Sequence, residues 1–392
     1  MMDMKFLKIE ALNATVFKNP FEISFLTSQQ VEKDDPGALH NVCANVYLKP
    51  VSAFVGNNGS GKSLSLKLIA LVLDLLSGKS INNLFYSELI KDKLKLTVYF
   101  SNRQANEIVK YELLIYKYLN VFNEVNYQIS NEALFTKKAS VVRSKKQLFD
   151  FDNAKALSLA TSNDNSPQDV GAVANYLKAH QLKIVSKAFV HNNALLNFPV
   201  GEISYDILKL VDPNLERISI KEDCSVVIKF SNQNNPVHVT LDCLAKVLSN
   251  GVILGILYFD YAIKVLKHGG LLIIDDLDAH LNKELVKVLV SLFLQAKTNL
   301  FGASLVFTTH YLQGLDSLNR NDYVNILTKD DLGLFKLENL SSIISRTDLK
   351  KSEVINKTIT NAGQLQEEQL LLEEYVINQV APTGEPTNKT RE

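Results

Sequence analysis

The sequence has few cysteines and no excess of either charge. Its three cysteines, Cys43, Cys224 and Cys243, are too few and too widely spaced to predict a disulfide framework or a zinc site. Lysine and arginine together number 42, as do aspartate and glutamate, so the formal net charge is +0. This balance argues against a histone-like or polybasic membrane protein, although it allows a local basic patch.

Long apolar runs are also missing. The nearest candidate, residues 251–259, stops at Asp260 and is too short to span a membrane. The N-terminal residues include Asp3 and Glu10 and contain no signal-peptide core, so we expect a cytoplasmic protein without a membrane partner. The chain has 392 residues and is 46% hydrophobic, which is enough for a sizeable core in one large or two ordinary domains.

The spacing of apolar residues predicts an α/β chain with one antiparallel part. We expect a strand–loop–helix unit, an antiparallel meander, an exposed and partly disordered insertion, a helical stretch, and then alternating strands and helices. In chain order the predicted elements are an edge strand at 4–9, a strand at 46–55, a glycine-rich loop at 56–63, a helix at 64–76, the meander at 93–130, the insertion at 136–170, the helical stretch at 170–215, strands at 216–230 and 237–241, a helix at 252–266, a strand at 271–274, a helix at 282–296, a strand at 305–308 and a disordered tail at 378–392.

One segment fits the phosphate-loop pattern G-x-x-x-x-G-K-[ST]. It consists of Gly56, Asn57, Asn58, Gly59, Ser60, Gly61, Lys62 and Ser63. Glycines let backbone N–H groups turn toward phosphates, and the N-terminus of the following helix adds a positive potential. In such a loop Lys62 places its charge on the β- and γ-phosphates, and Ser63 offers a hydroxyl to Mg²⁺. The alternative is a chance glycine-rich turn.

The predicted strand at 271–274 ends in two carboxylates, Asp275 and Asp276, with Asp278 close behind. A buried strand delivers its C-terminal end to the ligand crevice of an open α/β sheet. We predict that Asp275 holds Mg²⁺ through water and that Asp276 orients or deprotonates the attacking water. The alternative is an acidic loop in which Asp278 caps a helix.

Two weaker features accompany these motifs. His310 follows the predicted strand at 305–308, where its imidazole is placed to donate a hydrogen bond to a γ-phosphate, although a lone histidine is more often structural. Ser249 and Gly251 precede the predicted helix at 252–266. A serine at an exposed helix N-terminus makes an anion site, and the alternative is an ordinary helix cap.

The order GNNGSGKS, LSNG, LLIIDD and TTH resembles the ABC-type ATPase head of the SMC, RecF and OLD-like lineage, whose members are often called AAA family ATPases. The opening MKFLKIEALNATVF and the segment VNYQISNEAL resemble the first strand and the meander of that head. The resemblance implies a P-loop NTPase with a mixed central sheet, an antiparallel β meander and a helical insertion. It divides the chain into an N-terminal ATPase lobe at 1–135, an insertion at 136–204, a C-terminal ATPase lobe at 205–345, and a helical segment with a polar tail at 346–392.

The resemblance also implies roles for single residues, with ATP and Mg²⁺ as cofactors. By position, the nucleotide lysine is Lys62, the magnesium ligands are Ser63 and Asp275, the hydrolytic acid is Asp276, the signature pair is Ser249 and Gly251, and the switch histidine is His310. In this lineage the signature of one head closes on the ATP of another, which implies a homodimer or higher homo-oligomer.

The chain departs from the pattern of that lineage at several positions. Asp276 stands where a glutamate is usual and is one methylene shorter, which implies slow turnover. Asn250 stands where glycine or serine is common, and Asn282 where OLD-like relatives often have histidine. No glutamine is assigned to the Q-loop.

Chains of this kind resemble ATPases of bacterial anti-phage and abortive-infection systems, which regulate a separately encoded effector, commonly a nuclease. We see no nuclease constellation in this sequence, and we expect too little chain after His310 for a fused nuclease domain. An ATP-binding scaffold with little hydrolysis is one alternative, and a transporter subunit is disfavoured. Another alternative is a RecF-like repair ATPase that binds DNA through the cations Lys137, Lys138, Arg143, Lys145 and Lys146. We favour a solvated loop for this segment, because no aromatic residues interleave the cations.

Overall fold

The computed structural model describes residues 4–31, 38–83, 86–157, 169–182, 184–189, 198–330, 332–344, 346, 349–359, 371–373 and 375–376. The predicted tail at 378–392 lies outside these residues, as does 158–168 of the predicted insertion. The strands are β1 Met4–Leu12, β2 Phe21–Ser24, β3 His40–Cys43, β4 Val46–Leu48, β5 Val51–Val55, β6 Lys93–Asn102, β7 Glu107–Leu119, β8 Val125–Lys138, β9 Lys155–Leu157, β10 Ser186–Phe189, β11 Gly201–Glu202, β12 Leu215–Ile220, β13 Ser225–Phe230, β14 Val237–Thr240, β15 Leu271–Ile274, β16 Ser304–Thr308, β17 Val324–Lys329 and β18 Phe335–Asn339.

The helices alternate with these strands in the second half of the chain and near the glycine-rich loop. They are α1 Lys62–Leu76, α2 Lys145–Phe149, α3 Val173–Ala179, α4 Tyr205–Val211, α5 Asn250–His268, α6 Leu277–His280, α7 Lys283–Leu294, α8 Leu340–Ile343 and α9 Lys351–Ile359. Within the described residues, no helix combines the length and the apolar character needed to cross a bilayer.

A six-stranded mixed sheet forms the centre of the fold, in the order β10-β15-β16-β5-β17-β18. Its first five strands run parallel, and β18 pairs antiparallel with β17. The predicted α/β class and the predicted buried strands at 271–274 and 305–308 are therefore confirmed. In β15, Leu271 and Ile273 pack into one core cluster while Leu272 and Ile274 pack into another, which explains a fully apolar run without alternation.

The two faces of the central sheet are covered differently. One face packs against α1 and, beyond it, against a six-stranded antiparallel sheet in the order β2-β1-β6-β7-β8-β9. The other face packs against α4, α5 and α7. The helix α1 is apolar nearly all round because it is enclosed between the two sheets.

The antiparallel sheet confirms the predicted meander, which is built from β6, β7 and β8. The prediction of an edge strand at 4–9 is wrong, because β1 pairs with β2 on one side and with β6 on the other. Both faces of β1 are buried, as Phe6, Leu7 and Ile9 illustrate. The alternation of apolar and polar residues along a strand does not show whether the strand has a hydrogen-bonded neighbour on each side.

Two further predictions needed correction. The strand predicted at 46–55 is broken into β4 and β5 at Lys49 and Pro50, because proline has no N–H to continue a ladder. The stretch predicted as helical at 170–215 contains α3 and α4 but also β10, which pairs in register with β15. Tertiary pairing overrides local propensity there. The strands predicted at 216–230 and 237–241 are confirmed as β12, β13 and β14 of a four-stranded sheet.

Candidate functional site

Three of the four predicted motifs meet at the carboxyl end of the central sheet. The glycine-rich loop follows β5, the aspartates follow β15, and His310 follows β16. Because β16 lies between β15 and β5 and the three strands are parallel, their carboxyl ends lie side by side. Residues that are far apart in sequence thus share one crevice.

The glycine-rich loop packs closely against the neighbouring strands. A Cβ on Gly56 would lie 2.4 Å from the carbonyl oxygen of Leu327, and one on Gly61 would lie 2.4 Å from the ring of Phe335. Gly61 also has a φ of 93°, which side chains rarely tolerate. These contacts make glycine necessary at both positions, a packing reason that the sequence pattern did not reveal.

Lys62 is the first residue of α1, and its side chain folds back over the loop. Its Nζ donates hydrogen bonds to the carbonyl oxygens of Gly56 at 3.0 Å and Asn57 at 3.1 Å. Burial lowers the pKa of the Lys62 ammonium. Three carboxylates oppose that pKa shift through their charge, namely Asp276, Asp275 and Asp278.

The loop carries donors that suit an anion. Among the described residues no side chain caps the N-terminus of α1, so its first N–H groups keep their donor capacity. The buried hydroxyl of Ser60 has no hydrogen-bond partner in this part of the chain either. Ser63 is the second residue of α1, while Asn57, Asn58 and Gly59 face solvent. This donor set fits a phosphate group.

The three carboxylates after β15 are held by different partners. Asp275 Oδ1 accepts a hydrogen bond from Thr308 Oγ1 at 2.6 Å. The carboxylate of Asp278 accepts from the backbone N–H of His310 at 3.1 and 3.2 Å. The alternative in which Asp278 caps a helix is wrong, because α6 begins directly after Asp276 without a side-chain cap.

Asp276 has an unusual backbone conformation. Its φ of 46° and ψ of 55° lie in the left-handed region, where aspartate is better tolerated than most residues. Asp276 Oδ1 lies 3.6 Å from His310 Nε2, which is longer than an ordinary hydrogen bond. Both side chains are nearly half exposed, so the pair faces the open side of the crevice.

The signature pair lies on a different element. Ser249 caps α5 by accepting a hydrogen bond from the N–H of Val252 at 3.3 Å, as the cap alternative requires. A Cβ on Gly251 would lie 2.9 Å from the carbonyl oxygen of His280, at the end of α6. In the described parts of the chain no hydrogen bond joins Ser249 or Gly251 to the glycine-rich loop. Asn282 similarly caps α7 through the N–H of Leu285.

The predicted magnesium ligands come from separate elements, Ser63 from α1 and Asp275 from the end of β15. Over the residues that the structure describes, no group of three or more His, Cys, Asp or Glu side chains is arranged to hold a metal ion. The oxygen ligands available to a metal ion are therefore one hydroxyl and single carboxylates. Such a set suits Mg²⁺, which commonly keeps several waters and takes only one or two carboxylates from the protein.

Sequence reasoning missed two groups that contact the site. Thr308, the last residue of β16, bonds both Asp275 and Asp276. The carbonyl oxygen of Ile359, at the end of α9, accepts a hydrogen bond from Asn57 Nδ2 at 2.8 Å. The motif TTH contained a signal for Thr308, whereas nothing local could have linked Asn57 to a residue 302 positions later.

The basic segment considered for DNA binding is largely occupied within the protein. Lys137 Nζ donates to the carbonyl oxygens of Gln147 and Asp150. Lys138 pairs with Glu107 at 3.0 Å. Lys145 donates to a backbone carbonyl, and burial lowers its pKa. Three of the five cations therefore serve local packing.

The chain matches none of the protein-family models against which it was scanned, and a search of curated proteins also found no match.

Proposed function

We propose that the chain is an ATP-binding and ATP-hydrolysing ABC-type ATPase that dimerises on ATP and regulates a separately encoded effector, such as a nuclease, in anti-phage defence. The observation that carries the nucleotide part is the surroundings of Lys62. Its ammonium is held by the loop carbonyls of Gly56 and Asn57, and the charges of three carboxylates act on it. A triphosphate with Mg²⁺ supplies the countercharges that such a mixture of cation and anions needs.

Each side chain has a distinct task in this proposal. Lys62 and the backbone N–H groups of the loop bind the β- and γ-phosphates. Ser63 and Asp275 are the candidate holders of Mg²⁺, which when bound neutralises charge on the phosphate oxygens. Asp276 accepts a proton from the attacking water, and His310 donates a hydrogen bond to the γ-phosphate.

Dimerisation and the effector rest on the family resemblance alone. Ser249 and Gly251 lie at the N-terminus of α5, where Ser249 caps the helix. In this proposal they act on the nucleotide of a second copy of the chain. The DNA-binding alternative is not favoured, because Lys137, Lys138 and Lys145 already have acceptors within the chain. The scaffold alternative remains an outcome of the experiment below.

Nucleotide binding and gel filtration together test the proposal. Lys62→Ala should weaken Mg-ATP binding on the order of 100-fold, because it removes a charge-assisted donor to the phosphates. Lys67→Ala is the matched control, since Lys67 is on the same helix but pairs with Glu88. Asp276→Asn should keep binding, lose hydrolysis and elute as a dimer in saturating Mg-ATP.

The outcomes separate the parts of the proposal. Equal Mg-ATP affinities for the wild type and Lys62→Ala would contradict the proposed nucleotide site. A monomeric Asp276→Asn protein in Mg-ATP would remove ATP-dependent dimerisation. Phosphate release no faster than the Lys62→Ala background would leave an ATP-binding scaffold instead of an enzyme.

A further inference from the structure

One buried hydroxyl links the two aspartates at the end of β15. Thr308 Oγ1 donates to Asp275 Oδ1 at 2.6 Å and accepts the backbone N–H of Asp276 at 2.7 Å. Thr308 has no solvent exposure. A hydroxyl has one proton to donate and two lone pairs to accept with, so these two bonds use its donor and one acceptor position.

The register of the central sheet places Thr308 at this point. Phe307 pairs with Ile274 between β16 and β15, so Thr308 lies beside Asp275, one step beyond the ladder. On its other side Thr308 pairs with Phe54 of β5, the strand that leads into the phosphate loop. The side chain is therefore fixed by strands on both sides.

We propose that Thr308 is a positioning residue that sets the direction of both aspartates in the ATPase site, an inference that rests on the proposed function. Its O–H occupies Oδ1 of Asp275 and so orients the carboxylate, whose other oxygen takes no part in this bond. By accepting the N–H of Asp276, it holds that residue in its left-handed conformation. In this conformation the Asp276 carboxylate lies beside His310.

A hydroxyl is required because both partners are polar and lie beside a buried side chain. Valine has nearly the shape of threonine, but it would leave the Asp276 N–H and one Asp275 oxygen without this partner. Serine would keep both hydrogen bonds and remove only the methyl group. Thr308→Val and Thr308→Ser thus separate the hydroxyl from the volume of the side chain.

Thr309 provides the matched control at the same strand end. Its hydroxyl is also buried and accepts a hydrogen bond from the N–H of Tyr311 at 3.0 Å. In the described residues it makes no hydrogen bond to either aspartate. Thr309→Val therefore removes a comparable hydroxyl without touching Asp275 or Asp276.

The test measures ATP affinity with and without Mg²⁺, the Mg²⁺ concentration that half-saturates hydrolysis, kcat and the melting temperature. For Thr308→Val we expect a kcat at least tenfold lower, a higher half-saturating Mg²⁺ concentration and a smaller gain in ATP affinity on adding Mg²⁺. ATP affinity without Mg²⁺ should stay unchanged. Thr308→Ser should recover most of each value, and Thr309→Val should keep the wild-type Mg²⁺ dependence.

Several results would overturn the inference. One is that Thr308→Val keeps the wild-type Mg²⁺ dependence. Another is that Thr308→Val and Thr309→Val lose kcat equally, which would mean that the Thr308 hydroxyl is merely structural. If Thr308→Val does not fold, Thr308→Ala replaces it, because the smaller side chain leaves room for water beside the aspartates. A wild-type protein that binds no nucleotide contradicts the proposed function, whereas a wild type that hydrolyses ATP beside an unaffected Thr308→Val contradicts this inference alone.

Discussion

Two buried lysines lie at opposite ends of the central sheet. At the amino ends of β15 and β16, Lys5 Nζ donates to the carbonyl oxygens of Gly269 and Gly302, the latter at 2.9 Å, and also to that of Phe301. At the carboxyl end, Lys62 Nζ donates to the carbonyl oxygens of Gly56 and Asn57. The side chains are almost equally buried, at 6% and 7% exposure.

Burial and hydrogen bonding alone do not tell these two lysines apart. The acceptors of Lys5 belong to the turns that lead into two buried strands, so its bonds join the antiparallel sheet to the central sheet. The acceptors of Lys62 belong to a loop whose tip faces solvent, and three carboxylates act on its charge. If water or an anion can take the place of a lysine's carbonyl acceptors, the lysine is suited to binding an anion. If its acceptors are enclosed, the lysine stabilises the fold.

The largest loss of stability should come from Lys5→Met, which separates the structural role of Lys5 from the binding role of Lys62. Lys5→Met keeps the length of the side chain but leaves enclosed carbonyl oxygens without their donor. We expect the free energy of unfolding to fall by about 3 kcal/mol, measured by urea denaturation. Mg-ATP affinity should stay at the wild-type value, since the substitution is at the far end of the sheet.

Lys62→Ala is the counterpart of that substitution. Water can replace the lysine at the carbonyl oxygen of the exposed Asn57 but less readily at that of the buried Gly56, and we expect a loss of stability of about 1–2 kcal/mol. The comparison fails if Lys62→Ala destabilises the protein as much as Lys5→Met does, or if Lys5→Met abolishes nucleotide binding.

A smaller effect concerns how stability depends on pH through His40, at the amino end of the central sheet. Burial, together with the charges of Lys5 and Arg103, lowers the pKa of His40 to about 4 from its ordinary 6.5. The imidazole packs against Gly302, next to the acceptors of Lys5. Because the unfolded chain binds this proton at a higher pH than the folded chain, stability should fall as the pH drops from 6.5 toward 4.

His40→Gln measures this contribution. We expect the variant to lose about 1–2 kcal/mol less than the wild type across that pH range, a value reduced because the ring is partly exposed. Urea denaturation at several pH values provides the comparison, and titration of other groups cancels in the difference. Parallel pH profiles for the two proteins would mean that protonation of His40 is not linked to folding.

The smallest effect should come from the contact between the glycine-rich loop and α9. Asn57→Ala removes the hydrogen bond to Ile359, which should cost about 1 kcal/mol locally. Hydrogen exchange should quicken at the C-terminal end of α9 and remain unchanged at its N-terminal end, where Ser352 is bonded to Asp316 at 2.7 and 2.9 Å. Asn58→Ala is the control, and equal exchange in both variants would contradict the contact.

Periodicity and motif spacing predicted much of the fold. Fully apolar runs such as 271–274 predicted strands buried on both faces, and β15 confirms this. The same reasoning failed at 186–189, because that strand exists by pairing with β15 and has no strong pattern of its own. It failed again at 4–9, since the pattern of a strand does not record how many neighbours it has.

The sequence by itself determined most of the residues of the candidate site, although not Thr308, because glycine, lysine and aspartate at fixed spacings express local chemistry. Tertiary structure alone decided how these residues are held. It placed Thr308 between Asp275 and Asp276, packed Gly56 against Leu327, and joined Asn57 to α9. The reason is physical: spacing along the chain governs turns and helix starts, whereas hydrogen bonds and close contacts depend on strand order and register.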